Sequence, residues 1–174
     1  TSLVEECMLA ANRTVADDLH VLKQTWQTKD LPPYVYRIHD QPDKEKMEAA
    51  VGVVRALGFD VPSGKLTPVQ INNILAQAAN RVEKPVVNTL FLRSMAKAVY
   101  AEHNIGHFGL GFADYAHFTS PIRRYPDLYV HRALKEYAKG QPDRKRWNDL
   151  REMASIVGDQ CSLTERAAVE AERA

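Results

Sequence analysis

The sequence predicts an α+β fold that is dominated by helices and has two short extended segments. Most of the chain repeats apolar residues at intervals of three and four, which is the spacing of amphipathic helices. Two segments do not follow that spacing. Residues 34–39 show the alternating pattern of a strand, and residues 107–112 contain repeated glycines and aromatic rings. With 174 residues, 45% of them hydrophobic, the chain is long enough to form a single domain with a sizeable core.

The first predicted helix covers about residues 2–24. Its apolar side chains recur at helical spacing at Val4, Cys7, Met8, Ala11, Val15, Leu19 and Leu22. Pro32 and Pro33 then interrupt helical structure. Residues 34–39 alternate and are rich in strand-forming residue types, so they are predicted to form a short strand.

Five further helices are predicted along the rest of the chain. Their bounds are about 40–58, 67–80, 85–102, 126–140 and 143–174. Gly58 and Gly140 mark helix ends, and Thr67 followed by Pro68 combines a capping hydroxyl with a proline at the first helical position. Residues 107–112 lie between two of these helices and are predicted to be extended.

Charge and cysteine content exclude several classes of protein. Lys and Arg number 23 against 22 Asp and Glu, so neither a strongly basic tail nor an acidic disordered segment is expected. Cys7 and Cys161 are too few for a disulfide framework and form no C-x-x-C zinc motif, which favours a reduced, cytoplasmic location. The sequence contains no apolar run of the roughly 18 residues that a membrane span needs.

The segment from 106 to 132 carries the most informative chemistry. Thr119, Ser120 and Pro121 form a helix-start signal, and amides at such a start can bind an anion. Arg123 and Arg124 follow within one turn, and each guanidinium offers a planar fork of donors that suits phosphate oxygens. Pro126 disfavours helical geometry at the residue before it, so this turn is predicted to be separate from the next helix.

Two interpretations of this segment remain open on the residues alone. Arginines beside aromatic rings are typical of single-stranded RNA recognition, and rings recur here at Phe108, Phe112, Tyr115, Phe118 and Tyr125. The arginines could equally be solvated or ion-paired at an ordinary helix start, and the rings could be part of the core.

The same segment resembles the signature of the RNB family, the exoribonucleases of the ribonuclease II and ribonuclease R type. It reads HFGLG from residue 107 and YAHFTSPIRRYPDLYVHR from residue 115. Residues 3–12, 36–42 and 162–173 resemble further family segments. The resemblance covers the whole chain and implies that residues 1–174 are a partial domain, the C-terminal half of an RNB-type catalytic domain.

The resemblance implies a part of a processive, hydrolytic 3′–5′ exoribonuclease that releases nucleoside 5′-monophosphates from single-stranded RNA. It implies Mg²⁺ as the cofactor, with ligands in an aspartate cluster that lies outside this chain. The adjacent Asp17 and Asp18 are predicted to be a solvated helix face instead. We therefore expect the isolated chain to be inactive and to self-associate where the N-terminal half of the catalytic domain would pack. The alternative is a non-catalytic RNA-binding or scaffold fragment.

Position by position, the resemblance implies site residues. Arg123 matches the arginine that binds the scissile or adjacent phosphate and is the predicted catalytic residue. Arg124 is a second choice, and we expect it to pair with a carboxylate such as Asp127. Glu5 or Glu6 is implied to contact sugar hydroxyls, and the residues of the motif do not decide between them.

The remaining predicted RNA-binding residues also come from the resemblance. They are Tyr115, His117, Ser120 and Glu165. His117 is expected to donate fixed hydrogen bonds rather than to act as an acid or base. Glu172 is a weaker alternative to Glu165 on the last helix. No metal ligand is predicted.

Overall fold

The computed structural model describes residues 2–173 of the chain. Its helices and strands are α1 (Leu3–Thr25), β1 (Tyr36–Ile38), α2 (Lys44–Ala56), α3 (Pro68–Ala78), α4 (Lys84–Ser94), β2 (Val99–Ala101), α5 (Tyr125–Tyr137) and α6 (Arg144–Arg173). A single 3₁₀ turn covers Phe108–Leu110. The prediction of a helix-dominated α+β fold is confirmed.

Side-chain caps fix the starts of α1, α2 and α3, and at α2 the cap is Asp43. Ser2 caps α1, where its hydroxyl accepts a hydrogen bond from the backbone N–H of Glu5 at 3.3 Å. Thr67 and Gln70 form a reciprocal capping box at the start of α3, with Pro68 in its first turn. The start of α3 therefore lies where the Thr-Pro pair predicted it.

The predicted helix over 85–102 is confirmed for its first ten residues and wrong for the rest, and the predicted extended segment over 107–112 is a turn. Helix α4 ends at Ser94, and residues 99–101 form β2, which pairs antiparallel with β1 so that Tyr36 lies opposite Ala101. Residues 107–112 form a tight turn closed by a bridge between His107 and Phe112. Gly111 has a φ of 68°, which other residues rarely adopt, and this explains how the turn can close.

The described residues form two compact units. The first unit contains residues 2–38, 98–107 and 112–173, and the second contains residues 39–97 and 108–111. The first unit has a core of side chains from α1, both strands, α5 and α6, among them Leu19, Tyr36, Val130 and Ala154. The second unit has its own core from α2, α3 and α4, among them Val54, Ile74, Val87 and Phe91.

Helix α6 lies against the free edge of β2. The hydroxyl of Ser162 accepts the backbone N–H of Tyr100 at 2.8 Å, so a side chain satisfies a strand donor that β1 does not reach. One turn earlier, a Cβ added to Gly158 would lie 3.2 Å from both the Tyr100 carbonyl oxygen and the Ala101 Cα. This close approach requires a glycine and fixes the position of α6 beside β2.

Two further features bear on the sequence predictions. Cys7 is exposed and Cys161 is partly buried, and both are free thiols. Within residues 2–173, no helix is both long enough and apolar enough to cross a membrane.

Candidate functional site

The two adjacent arginines lie on a corner formed by residues 119–127, which we call the arginine corner. The carbonyl of Ser120 accepts the backbone N–H groups of Arg123 at 3.3 Å and of Arg124 at 3.1 Å, which makes one isolated turn. Arg124 is extended, with φ −123° and ψ 120°, and α5 begins at the next residue. The predicted separation between this turn and the following helix is therefore confirmed.

A buried carboxylate holds the arginine corner together. Asp127 is completely buried, and its Oδ1 atom accepts the Ser120 N–H at 2.7 Å and Arg124 Nη2 at 2.8 Å. The Arg124 side chain is only 20% exposed. The expected pairing of Arg124 with Asp127 is confirmed, and it makes Arg124 a fixed part of the corner.

The Arg123 side chain, unlike that of Arg124, is not held by an ion pair within residues 2–173. It lies exposed on the same turn, next to an Ile122 side chain that is fully exposed. Among residues 2–173 it has no ion-pair partner. Its guanidinium is therefore open to an external anion.

Positive charge converges on His117. Its Nδ1 atom lies 2.9 Å from the hydroxyl of Tyr100. Burial lowers the pKa of His117 to about 3, and the charges of Arg124, Arg37 and Arg123 contribute to the same shift. The ring is therefore neutral at physiological pH, and three guanidiniums are close enough to act on one side chain.

Arg37 was missed as a site residue in the sequence. Its guanidinium stacks 4.4 Å from the ring centre of Tyr100 and donates to both carboxylate oxygens of Glu165, at 2.7 and 3.1 Å. Burial raises the pKa of Tyr100 to about 12, so this phenol stays protonated. The alternation of β1 was the available signal, because it places Arg37 on the strand face opposite Tyr36 and Ile38.

Asn12 connects α1 to the motif segment. Its Oδ1 atom accepts the backbone N–H groups of Phe118 at 2.9 Å and Thr119 at 3.2 Å, and its Nδ2 atom donates to the Tyr115 hydroxyl at 3.0 Å. Tyr115 is only 5% exposed. Its ring therefore packs in the interior, against the rings of His107, Phe112 and His117.

The structure separates the two glutamates of α1. Both are exposed. Glu5 lies seven residues before Asn12 and so shares its helix face, which is the face that meets the motif segment. Glu6 lies about 100° further around the helix. Glu5 therefore lies on the face of α1 that carries Asn12, and Glu6 does not.

The late-helix glutamates also occupy different positions. Glu165 is held by Arg37 and lies with it beside Tyr100. Glu172 is exposed, two turns further along α6. The site thus brings together five of the predicted residues: Ser120, Arg123, Arg124, His117 and Glu165. It adds Arg37, Tyr100 and Asn12 to them.

The carboxylates of residues 2–173 do not form a metal site. In the described range no three His, Cys, Asp or Glu side chains lie close enough together to hold an ion. Asp17 pairs with Arg13 at 3.4 Å on an exposed face of α1. The described residues therefore do not fit the Mg²⁺ that the family resemblance implies.

Residues 1–140 of the chain match the RNB domain family. The chain belongs to the RNB family. Ribonuclease R of Vibrio cholerae is 38% identical over 180 residues, and ribonuclease R of Escherichia coli is 39% identical over 180 residues. Each alignment covers 98% of this chain and 21% of the relative. This RNB chain therefore spans about a fifth of the length of these curated relatives.

Solved structures of other proteins have the same fold. Mycoplasma genitalium RNase R in complex with ribose-methylated single-stranded RNA superposes with a TM-score of 0.82 at 30% identity. The match covers 98% of this chain and 26% of that one. Yeast Ssd1, described as a pseudonuclease, superposes with a TM-score of 0.71 at 22% identity and shares the fold.

Proposed function

We propose that this chain is part of a processive, hydrolytic 3′–5′ exoribonuclease that releases nucleoside 5′-monophosphates from single-stranded RNA, and that its own share of the work is to hold the RNA. Membership of the RNB family and the similarity to ribonuclease R support the activity of the whole protein. The observation that carries the proposal for this chain is an open Arg123 on a turn that the buried Arg124–Asp127 pair fixes.

In this proposal Arg123 binds a phosphate of the RNA backbone. A guanidinium can donate two parallel hydrogen bonds to phosphate oxygens, and the Arg123 side chain has no ion-pair partner among residues 2–173. Arg124 and Arg37 add positive potential but keep their carboxylate partners, Asp127 and Glu165. The three cations therefore attract an anion, while Arg123 alone makes the direct contact.

Glu5 has the second role in this proposal, as the acceptor of a hydrogen bond from a ribose 2′-hydroxyl. Its place on the Asn12 face of α1 supports it over Glu6. A carboxylate is a strong acceptor, and deoxyribose would leave it without that donor. The chain should therefore prefer RNA to DNA.

The isolated chain, on this account, binds RNA without cutting it. Two-metal phosphodiester cleavage needs carboxylates that converge on the metal ions, and the described acidic side chains do not converge in this way. This same observation favours the second function, a non-catalytic RNA-binding fragment, for the chain on its own. The two functions differ in whether the rest of the protein supplies the missing ligands.

Two measurements on the purified chain test this proposal. Fluorescence anisotropy of a 5′-labelled oligoribonucleotide should rise on titration, and it should rise less with the matched DNA. A 3′-labelled RNA incubated with the chain and Mg²⁺ should release no mononucleotide. Equal affinity for RNA and DNA would remove the role of Glu5, and absence of RNA binding would overturn the proposed function.

A further inference from the structure

Excess positive charge is concentrated where α5 ends and α6 begins. Residues 132–146 carry six Lys and Arg against two Asp and Glu, a net charge of +4. The remaining 159 residues carry 17 Lys and Arg against 20 Asp and Glu, a net charge of −3. All of the excess positive charge of the chain therefore lies in one stretch of 15 residues.

The cations of this stretch lie on two helix segments that the contact between Glu136 and Arg146 joins. Arg132, Lys135 and Lys139 are spaced by three and four residues, so they lie on one face of α5 and its C-terminal extension, and all three are exposed. Arg144 and Lys145 are exposed at the first turn of α6. These five residues form what we call the basic ridge.

The two carboxylates of the stretch, Glu136 and Asp143, both contact Arg146 and none of the five ridge residues. Glu136 accepts from Arg146 Nε at 2.6 Å and Nη2 at 2.7 Å, and this hydrogen bonding lowers the pKa of Glu136. Asp143 accepts the backbone N–H of Arg146 at 2.7 Å. The contact of Glu136 with Arg146 ties the start of α6 to α5, and Asp143 caps α6. Within the described part of the chain, the ridge cations have no ion-pair partner.

The stability of α6 does not explain the cations at its start. The helix dipole favours carboxylates near an N-terminus and disfavours Lys and Arg there. The first turn of α6 nevertheless has no acidic residue and begins Arg144-Lys145-Arg146. Of these three cations, Arg146 gains its contact with Glu136, whereas Arg144 and Lys145 have no ion-pair partner among the described residues. Local departures of this kind, without a structural gain, are expected at functional surfaces.

We infer that the basic ridge is a second RNA-binding surface, which contacts backbone phosphates of a single strand away from the arginine corner. Lys and Arg side chains without partners bind phosphates as charges, with no preference for sequence. The inference rests on the proposed RNA-binding function. Both tryptophans of the chain lie beside this surface, since Trp147 follows the first turn of α6 and its ring centre lies 6.4 Å from that of Trp26.

A pair of matched triple variants tests the ridge. The first is Lys135→Gln with Lys139→Gln and Lys145→Gln. The control is Lys44→Gln with Lys46→Gln and Lys84→Gln, which removes the same charge from exposed lysines of the second unit. Circular dichroism melts check that each variant is folded. If the ridge variant is not folded, Lys145→Gln alone replaces it.

The measurement is the affinity for a 20-nucleotide oligouridylate as a function of salt. Each phosphate contact to a single strand contributes about 0.7 to the slope of log affinity against log salt, so three lost contacts should lower that slope by about 2. At 0.1 M salt the affinity should fall on the order of 100-fold. Lys145→Gln alone should lower the slope by about 0.7. The control variant should change neither the slope nor the affinity. RNA should shift the tryptophan emission of the wild-type chain but not that of the ridge variant.

A third variant separates this inference from the proposed function. If the ridge variant behaves like its control while Arg123→Ala weakens binding, the ridge inference is overturned and the arginine corner stands. If the ridge variant loses affinity and slope while Arg123→Ala does not, the ridge stands and the proposed role of the corner is overturned. A wild-type chain that binds no RNA overturns both.

Discussion

Asp127 and Arg124 form an ion pair in which Oδ1 and Nη2 lie 2.8 Å apart, and the Asp127 side chain is completely buried. The same oxygen accepts the backbone N–H of Ser120 at 2.7 Å. One carboxylate oxygen therefore holds both ends of the turn that carries Arg123. The pair acts on an incoming anion through the position of Arg123, because its own charges are already matched.

Replacing Asp127 with Asn should destabilise the chain by about 3 kcal/mol, because Arg124 would keep a largely buried charge without a partner. Urea unfolding measures this loss. The control is Asp17→Asn, which breaks the exposed Arg13–Asp17 pair on α1 and should cost less than about 0.5 kcal/mol. Equal stabilities of the two variants would show that the buried pair does not hold the corner.

Acid should weaken the chain through His117. Its pKa is about 3, against an ordinary value of 6.5, because of burial and the neighbouring guanidiniums. Between these values the unfolded chain binds more protons than the folded chain, so this contribution to stability is lost as the pH falls below 6.5. The loss approaches about 1.4 kcal/mol per pH unit.

The measurement is the free energy of unfolding in urea at pH 7 and at pH 5. His117→Gln removes this titration, so the difference between the two pH values should be smaller in this variant than in the wild-type chain. Nuclear magnetic resonance gives an independent check. The ring C–H signals of His117 should not titrate above about pH 4.5, and a midpoint near 6.5 would contradict the account.

Local signals in the sequence predicted the parts of the fold that depend on near neighbours. The Thr67-Pro68 pair predicted the start of α3, and Pro126 predicted the break before α5. The pairing of Arg124 with Asp127 could be predicted because three residues separate the partners. In each case the deciding contact lies within one turn of the chain.

The parts that were wrong or missed depend on partners far along the sequence. Residues 99–101 continue the apolar pattern of the preceding helix, and only their pairing with β1, more than 60 residues earlier, makes them a strand. Arg37 and Glu165 are separated by 128 residues. The alternation of β1 sets Arg37 apart from the buried Tyr36 and Ile38, but no local pattern specifies Glu165 as its partner.

The close contact of α6 with β2 gives a stability prediction with an internal control. Gly158→Ala should destabilise the chain by about 1–3 kcal/mol, because the new Cβ would lie 3.2–3.3 Å from three backbone atoms of β2. Gly52→Ala on α2 meets no atom within 4 Å and should stabilise by about 0.5–1 kcal/mol through helix propensity. Thermal melts measure both, and a stabilising Gly158→Ala would contradict the packing of α6.

The proposed contact between Glu5 and a ribose 2′-hydroxyl predicts that variants of Glu5 and Glu6 behave differently. Glu5→Ala should lower the ratio of RNA to DNA affinity about fivefold or more, since a lost hydrogen bond to a charged group is worth about 1 kcal/mol or more. Glu6→Ala should leave the ratio unchanged because it lies on another side of α1. The assay uses oligomers of one length at fixed salt. A change with Glu6→Ala alone would reverse the assignment.

The most direct test of the proposed function compares the affinities of the wild-type chain and of Arg123 variants for a six-nucleotide RNA. Arg123→Ala should weaken binding about tenfold or more, since a hydrogen-bonded contact to a charged group is worth about 1.5–3 kcal/mol. Arg123→Lys should restore only part of it because lysine lacks the fork of donors. The control, Arg93→Ala, removes another exposed arginine and should have little effect. If Arg123→Ala binds as tightly as the wild-type chain, the arginine corner does not hold the RNA.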